Sequence, residues 1–325
     1  MRAGRLIGAL GVALLCAPGT FVRTPMAEEM PHPTGPERIA GPAPTGDPAW
    51  QVAGVWRYAA DHRYFGGFSA LLPLDGERLQ AFSDRGARFT FVEPDSRVRG
   101  AGGRPAGRSP VVLQPVEKGF EEDLKDIESA ARDPATGTYW LGFEGLHAVH
   151  RYTAADEPDG LRVLEDEVDW PANSGAEAML RLPDGRFMVL PEGEEEGLLF
   201  PSDPVAGGVP EAFAFRPPVE GYAPTDLARL PDGRLLLLMR RTVFALPPFE
   251  TLLAIGPPPR AGGTWAPQVA LRLDPVIPSD NYEGLAIRPL ADGKAAVWIV
   301  ADDNLSVMQR TLLAKLVFDP AAEAE

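Results

Sequence analysis

The sequence predicts an all-β protein, a single β-propeller of four-stranded blades, and three observations carry that prediction. First, a unit of two short apolar runs joined by an Asp-Gly or similar turn occurs five times, and Asp-Gly between such runs is the strongest short-range hairpin signal. Second, indexing the first run of each unit by Ser69, Glu128, Glu177, Asp226 and Glu283 gives steps of 59, 49, 49 and 57 residues, a period that belongs to propeller blades. Third, two further apolar runs follow each hairpin except the last, which makes four strands per blade. The count is five blades, with six as the alternative should a degenerate blade hide in the longer steps.

In chain order, Arg2 and Arg5 precede an apolar stretch over 6–17, followed by small and breaking residues up to Ala27. This is the layout of a secretory signal peptide over 1–27, too short for a transmembrane span. Cys16, the only cysteine, follows Leu15 rather than a small residue, which argues against a lipoprotein site. Residues 28–49 are rich in Pro, Gly and Thr and predict an extended leader without packed structure. The propeller itself is expected over 50–320, with a short tail over 321–325.

The hairpins then follow in order. Their turns are Asp75-Gly76, the 133–137 segment, Asp184-Gly185, Asp232-Gly233 and Asp292-Gly293. The last blade is one strand short, because only the 312–318 run follows its hairpin, while the 51–58 run stands unpaired ahead of the first blade. Pairing those two closes the ring and removes an open sheet edge. The segments 98–110, 192–196 and 256–263 read as exposed loops.

Composition removes several functions. A mature chain without a thiol holds no disulfide, thiolate nucleophile or cysteine-bound zinc. A formal net charge of −15 and a pI near 4.8 lack the basic footprint that nucleic acid or an anionic membrane surface demands. Gly67-Phe68-Ser69-Ala70-Leu71 lacks the closing glycine of a nucleophile elbow. None of His32, His62, His147 and His150 falls at a repeat position.

In an antiparallel hairpin the start of the first strand and the end of the second share one edge. The ring therefore gathers Glu128, Glu177, Asp226 and Glu283 at one mouth of the channel, joined by Asp84, Glu144, Glu192, Asp302 and Asp303 from second-strand ends. Converging carboxylates must protonate, find cations or bind a hard ion such as Ca²⁺ through oxygen. The alternative is that each acid accepts backbone N–H bonds from the neighbouring blade and pins the ring. Arg85, Arg240 and Arg241, with Lys125 and Arg310 nearby, are the cations of the same rim; guanidinium forks suit carboxylate or phosphate, or simply balance the acids beside them.

The segments 65–71 and 82–85, Asp126-Ile127-Glu128, Asn281-Tyr282-Glu283-Gly284-Leu285-Ala286, Asp302-Asp303-Asn304 and Gln309-Arg310-Thr311 resemble the phytase-like family, described as having esterase-like activity. The likeness spans about residues 52–318. It implies a propeller exported to the periplasm or beyond and a possible hydrolase of carboxylic or phosphoric esters. The enzyme this suggests is a monomer acting on a small-molecule ester, with Glu128, Glu177, Asp226 and Glu283 holding a divalent ion, Ca²⁺ first among the candidates. Glu283, Asp302, Arg85 and Arg240 are the residues expected to act on substrate. The other class left open is a propeller that binds a ligand or protein without turnover.

Overall fold

A computed structural model describes residues 34–59, 64–96, 111–115, 126–145, 147–171, 174–193, 196–304, 306 and 309–324. The expected signal peptide, His32, His62, Lys125 and the 98–110 loop lie outside them.

Five sheets, antiparallel except for one short added strand, stand around one axis, as the repeat predicts. Before the first blade come β1 (Thr34–Ala40), β2 (Ala43–Pro44) and β3 (Trp50–Ala59). Blade 1 is β4 (Phe68–Leu74), β5 (Arg78–Ser83), β6 (Ala87–Val92) and β7 (Val111–Val112). Blade 2 is β8 (Ile127–Arg132), β9 (Tyr139–Phe143), β10 (Ala148–Tyr152) and β11 (Pro158–Val163). Blade 3 holds β12 (Ala178–Arg181), β13 (Phe187–Leu190), β14 (Glu196–Phe200) and β15 (Glu211–Phe215). Blade 4 holds β16 (Ala223–Arg229), β17 (Leu235–Thr242) and β18 (Phe249–Gly256), then β19 (Thr264–Trp265), which crosses to pair in parallel with β15 of blade 3, and finally β20 (Gln268–Arg272) at its own outer edge. Blade 5 is β21 (Tyr282–Pro289), β22 (Ala295–Ala301) and β23 (Leu312–Phe318), completed by β3.

The ring closes where the sequence predicts. β3 pairs with β23 from Leu312 opposite Arg57 to Phe318 opposite Trp50, and the Trp50 and Phe318 rings meet at 4.5 Å. The leader prediction needs correction: from Thr34 onward that segment forms β1 and β2, both paired with β3. Its Pro and Gly content conceals Glu37, Arg38 and Ile39, an extended run that adds an outer strand to the closing blade.

Each sheet is apolar on both faces because each is sandwiched between neighbours, so the core lies between blades. Leu236 and Leu238 of β17 pack in one buried cluster with Leu285 and Ile287 of β21 and Val297 and Ile299 of β22. The innermost strands β4, β8, β12, β16 and β21 touch in that order, and β21 meets β4 again. Every first strand therefore begins at the same mouth of the channel.

Candidate functional site at the channel mouth

The first strands carry a shared irregularity that decides which side chains face the axis. In β4 the register slips between Phe68 and Ala70, in β8 between Ile127 and Ser129, in β16 between Pro224 and Asp226, and in β21 between Tyr282 and Gly284. The extra residue of each bulge is Ser69, Glu128, Thr225 and Glu283; bulges re-aim a side chain at the rim of a sheet. Glu177 occupies the matching place just ahead of β12. Blade 4 thus offers Thr225 at the index position, one residue before the predicted Asp226.

Asp226 does something else. Its carboxylate accepts the N–H of Leu285 on the next blade at 2.6 Å and that of Leu227 at 2.7 Å, and the Leu71 N–H adds a third bond. Burial raises its pKa while these donors pull the other way. Ser129, at the same position in blade 2, likewise spans to the next blade through its hydroxyl and the Ala176 carbonyl. Asp226 is therefore a pin between blades, and it falls outside both groups of acids close enough to share an ion.

Those groups lie on blades 2 and 3. Carboxylate oxygens of Asp126, Glu128 and Glu144 come within 4.8 Å of one another, as do those of Glu144, Glu177 and Glu192, with Glu144 common to both. Glu128 and Glu177 match the predicted donor set; Asp126 is an addition, and it stands at φ +99°, a strained backbone that brings it back toward Glu144. Burial, then the charges of Glu177 and Glu283, pushes the Glu128 carboxyl well up. Burial and the neighbouring Glu192 do the same to Glu177. Glu144 is driven to about 7 by burial and by Asp126. An all-oxygen, anionic donor set at this spacing fits a hard cation such as Ca²⁺, and an ion there would relieve the repulsion that now favours protonation.

Glu283 is held differently. Asn281 Nδ2 donates to Glu283 Oε1 at 2.8 Å and reaches Asp302 Oδ2 at 3.4 Å, the Ser69 hydroxyl donates to Glu283, and Arg240 Nη2 lies 3.1 Å from Oε1. Burial still raises the Glu283 pKa against these partners. Asp302 is pushed well up by burial and by Glu283. Beside it, Asp84 reaches about 7 mainly through burial, with the Arg85 charge opposing. Gly66 and Gly67 let this corner close: both have positive φ, and a Cβ on Gly67 would stand 2.1 Å from Asp84 Oδ1. The Gly67 N–H donates to Asp303 Oδ1 at 3.1 Å.

Second-strand ends complete the ring with Asp84, Glu144, Glu192, Arg240 and Asp302, so blade 4 supplies a cation where the others supply acids. Arg240 also lies 3.7 Å from Glu192, and these charges hold it firmly protonated despite burial. Among the described residues, the other predicted cations face acids outside the two ion-holding groups. Arg241 pairs with Glu250 at 2.5 Å, Arg310 with Asp280 at 3.1 Å, and Arg85 acts on Asp84. His147 packs on Trp170 and His150 on Phe143, inside blade 2 and its flanking loop. Asn281, buried and joining two acids, is the residue that sequence reasoning named only within a motif; its place two residues before Glu283 is the available signal.

Residues 63–305 match the model of the phytase-like family, described as "Esterase-like activity of phytase", and the chain belongs to that family. No curated protein matches. Among solved structures, the chain is similar to a PQQ-bound aldose sugar dehydrogenase from Streptomyces coelicolor (13% identity, 78% of this chain and 95% of that one, TM-score 0.44). It is also similar to an exo-1,5-alpha-L-arabinanase from a bovine ruminal metagenomic library (14% identity, 78% and 95%, TM-score 0.46) and to a luciferin-regenerating enzyme (12% identity, 89% and 92%, TM-score 0.45). Among the described residues no helix is long and apolar enough to cross a membrane.

Proposed function

We propose that the chain is an exported, divalent-cation-dependent hydrolase of ester bonds, carboxylic or phosphoric, working at the acidic mouth of the channel. The observation that carries this reading is the asymmetry of the ring. Acids within ligand distance of one another gather on blades 2 and 3, and a half-buried arginine stands on blade 4 beside them.

Asp126, Glu128, Glu144, Glu177 and Glu192 are the residues that would hold the ion. When bound, a divalent ion supplies Lewis-acid polarisation of an ester oxygen and makes an attacking water more acidic. Glu283, oriented by Asn281 and Ser69 and with its pKa raised by burial against the pull of Arg240, is the carboxyl suited to exchange a proton with the substrate or the attacking water. Arg240 keeps its charge throughout and faces Glu283, where negative charge developing on the substrate would share the guanidinium.

The test is hydrolysis of chromogenic acetate and phosphate esters by the purified chain, with added Ca²⁺ and with chelator. Turnover that chelator abolishes and Ca²⁺ restores is the expected result. Absence of turnover with both esters in Ca²⁺ overturns the reading and leaves a propeller that binds without catalysis.

A further inference from the structure

We infer that the hairpin tip between β17 and β18 binds an apolar acyl or aryl group of the substrate, an inference that rests on the hydrolase reading and narrows its substrate class. Phe244 is 91% exposed and Leu246 76% exposed on this six-residue tip. The other large apolar side chain so exposed among the described residues is Val209, between β14 and β15 at the opposite end of the blades. The tip belongs to the mouth because β17 runs past Arg240 to Thr242, which pairs with Phe249; residues 243–248 continue beyond the arginine that touches Glu283.

The tip is built to stay open. The Val243 N–H donates to the Pro248 carbonyl at 2.8 Å and the Ala245 N–H to the Val243 carbonyl at 2.9 Å, while Pro247 and Pro248 restrict the chain. A preformed apolar surface needs little ordering when it binds. Its foot is electrically quiet: Arg241 pairs with Glu250 and Arg240 with Glu283.

The neighbouring blades explain why this sector suits an apolar group. Blades 2, 3 and 5 each present at least two acids at the mouth, over which an acyl chain would desolvate carboxylates. Blade 4 presents Thr225 and Arg240, both already partnered within the ring. Phe244 lies four residues along the chain from Arg240, on the same mouth side of blade 4. Phe244 and Leu246 together give this rim an apolar surface, and ligand sites combine such surface with a few convergent polar groups.

The experiment compares p-nitrophenyl acetate with p-nitrophenyl octanoate in Ca²⁺, for the wild type and for the double variant Phe244→Ser, Leu246→Ser. Both side chains face solvent, so the variant should melt at the wild-type temperature. The expected result is a fall of about tenfold or more in kcat/KM for octanoate, the scale of one lost large apolar contact, with acetate changed less than twofold. An unchanged octanoate-to-acetate ratio overturns the inference and leaves the hydrolase standing. Failure of the wild type on both esters removes the hydrolase reading and this one with it. Co-sedimentation with phosphatidylcholine vesicles closes the remaining route: binding lost in the variant with an unchanged ester ratio makes the tip a membrane anchor instead.

Discussion

Blade 4 and blade 5 begin alike, with an acid near the start of the innermost strand, and use it in opposite ways. Glu283 is the extra residue of its bulge and faces the other acids of the mouth. Asp226 stands one residue past its bulge, and its oxygens are taken by backbone N–H groups of blades 4, 5 and 1. One residue of phase separates a group that joins the ring sectors together from a group available for chemistry. A propeller mouth thus has two kinds of acid, and their partners distinguish them better than their spacing does.

The largest effect should come from breaking that pin. Asp226→Ala leaves up to three buried N–H donors unpaired, each costing roughly 1–3 kcal/mol. A loss of several kcal/mol in urea unfolding is the expected outcome, with any Ca²⁺ stabilisation of the residual folded protein retained. Glu177→Gln should do the reverse: little loss or a gain in metal-free stability at pH 8, and a much smaller Ca²⁺ response. If Asp226→Ala were the variant that stayed stable and lost its Ca²⁺ response, the two kinds of acid would have been assigned the wrong way round.

A smaller, pH-dependent effect sharpens the same contrast. Asp84 and Glu144 have carboxyls raised to about 7 by burial, above unfolded values of about 4. Between those limits the folded state holds protons that the unfolded chain has released, so stability falls as pH rises through this window. Without divalent ions the melting temperature should therefore drop from pH 5 to pH 8. Ca²⁺ that binds only the folded state stabilises it by about 2.7 kcal/mol at a hundredfold excess over its Kd, and should flatten the slope most at the alkaline end. A melting temperature that stays level from pH 5 to pH 8 in chelator would show that the clustered acids are not under strain, and would remove the motive for an ion.

Much of this was legible in the chain. The Asp-Gly turns and the two runs after each hairpin are local signals, and they predict five sheets and their closure through β3. The gathering of acids at one mouth follows from antiparallel pairing alone. What failed was phase in blade 4, because an acid at 226 looks like a better match to Glu283 than Thr225 does. The corrective signal was present: Leu182-Pro183-Asp184-Gly185 and Leu230-Pro231-Asp232-Gly233 are the same turn, and counting five residues back from each leucine gives Glu177 and Thr225. Asp126 could not be found that way, since its approach to Glu144 depends on a positive φ that no side-chain pattern announces. The strands β1 and β2 were hidden for a related reason: their stability comes from pairing with β3 rather than from their own composition.

The smallest effect belongs to Ser69, the bulge residue of blade 1 and, with Thr225, one of the two index positions that are not acidic. Its hydroxyl donates to Glu283 and helps keep that carboxylate ionised among like charges. Ser69→Ala removes one of three partners while Asn281 and Arg240 remain, so the cost should be about 1 kcal/mol or less in stability. The more telling readout is protonation. Glu283 should titrate at higher pH in the variant, and under the hydrolase reading the acid limb of the kcat/KM profile should move up by less than one pH unit. A shift of that size with unchanged Ca²⁺ affinity would separate Glu283 from the ion-holding acids of blades 2 and 3. A large fall in Ca²⁺ affinity would instead make Ser69 and Glu283 part of the ion's own shell, and blade 1 would then have to be counted with blades 2 and 3.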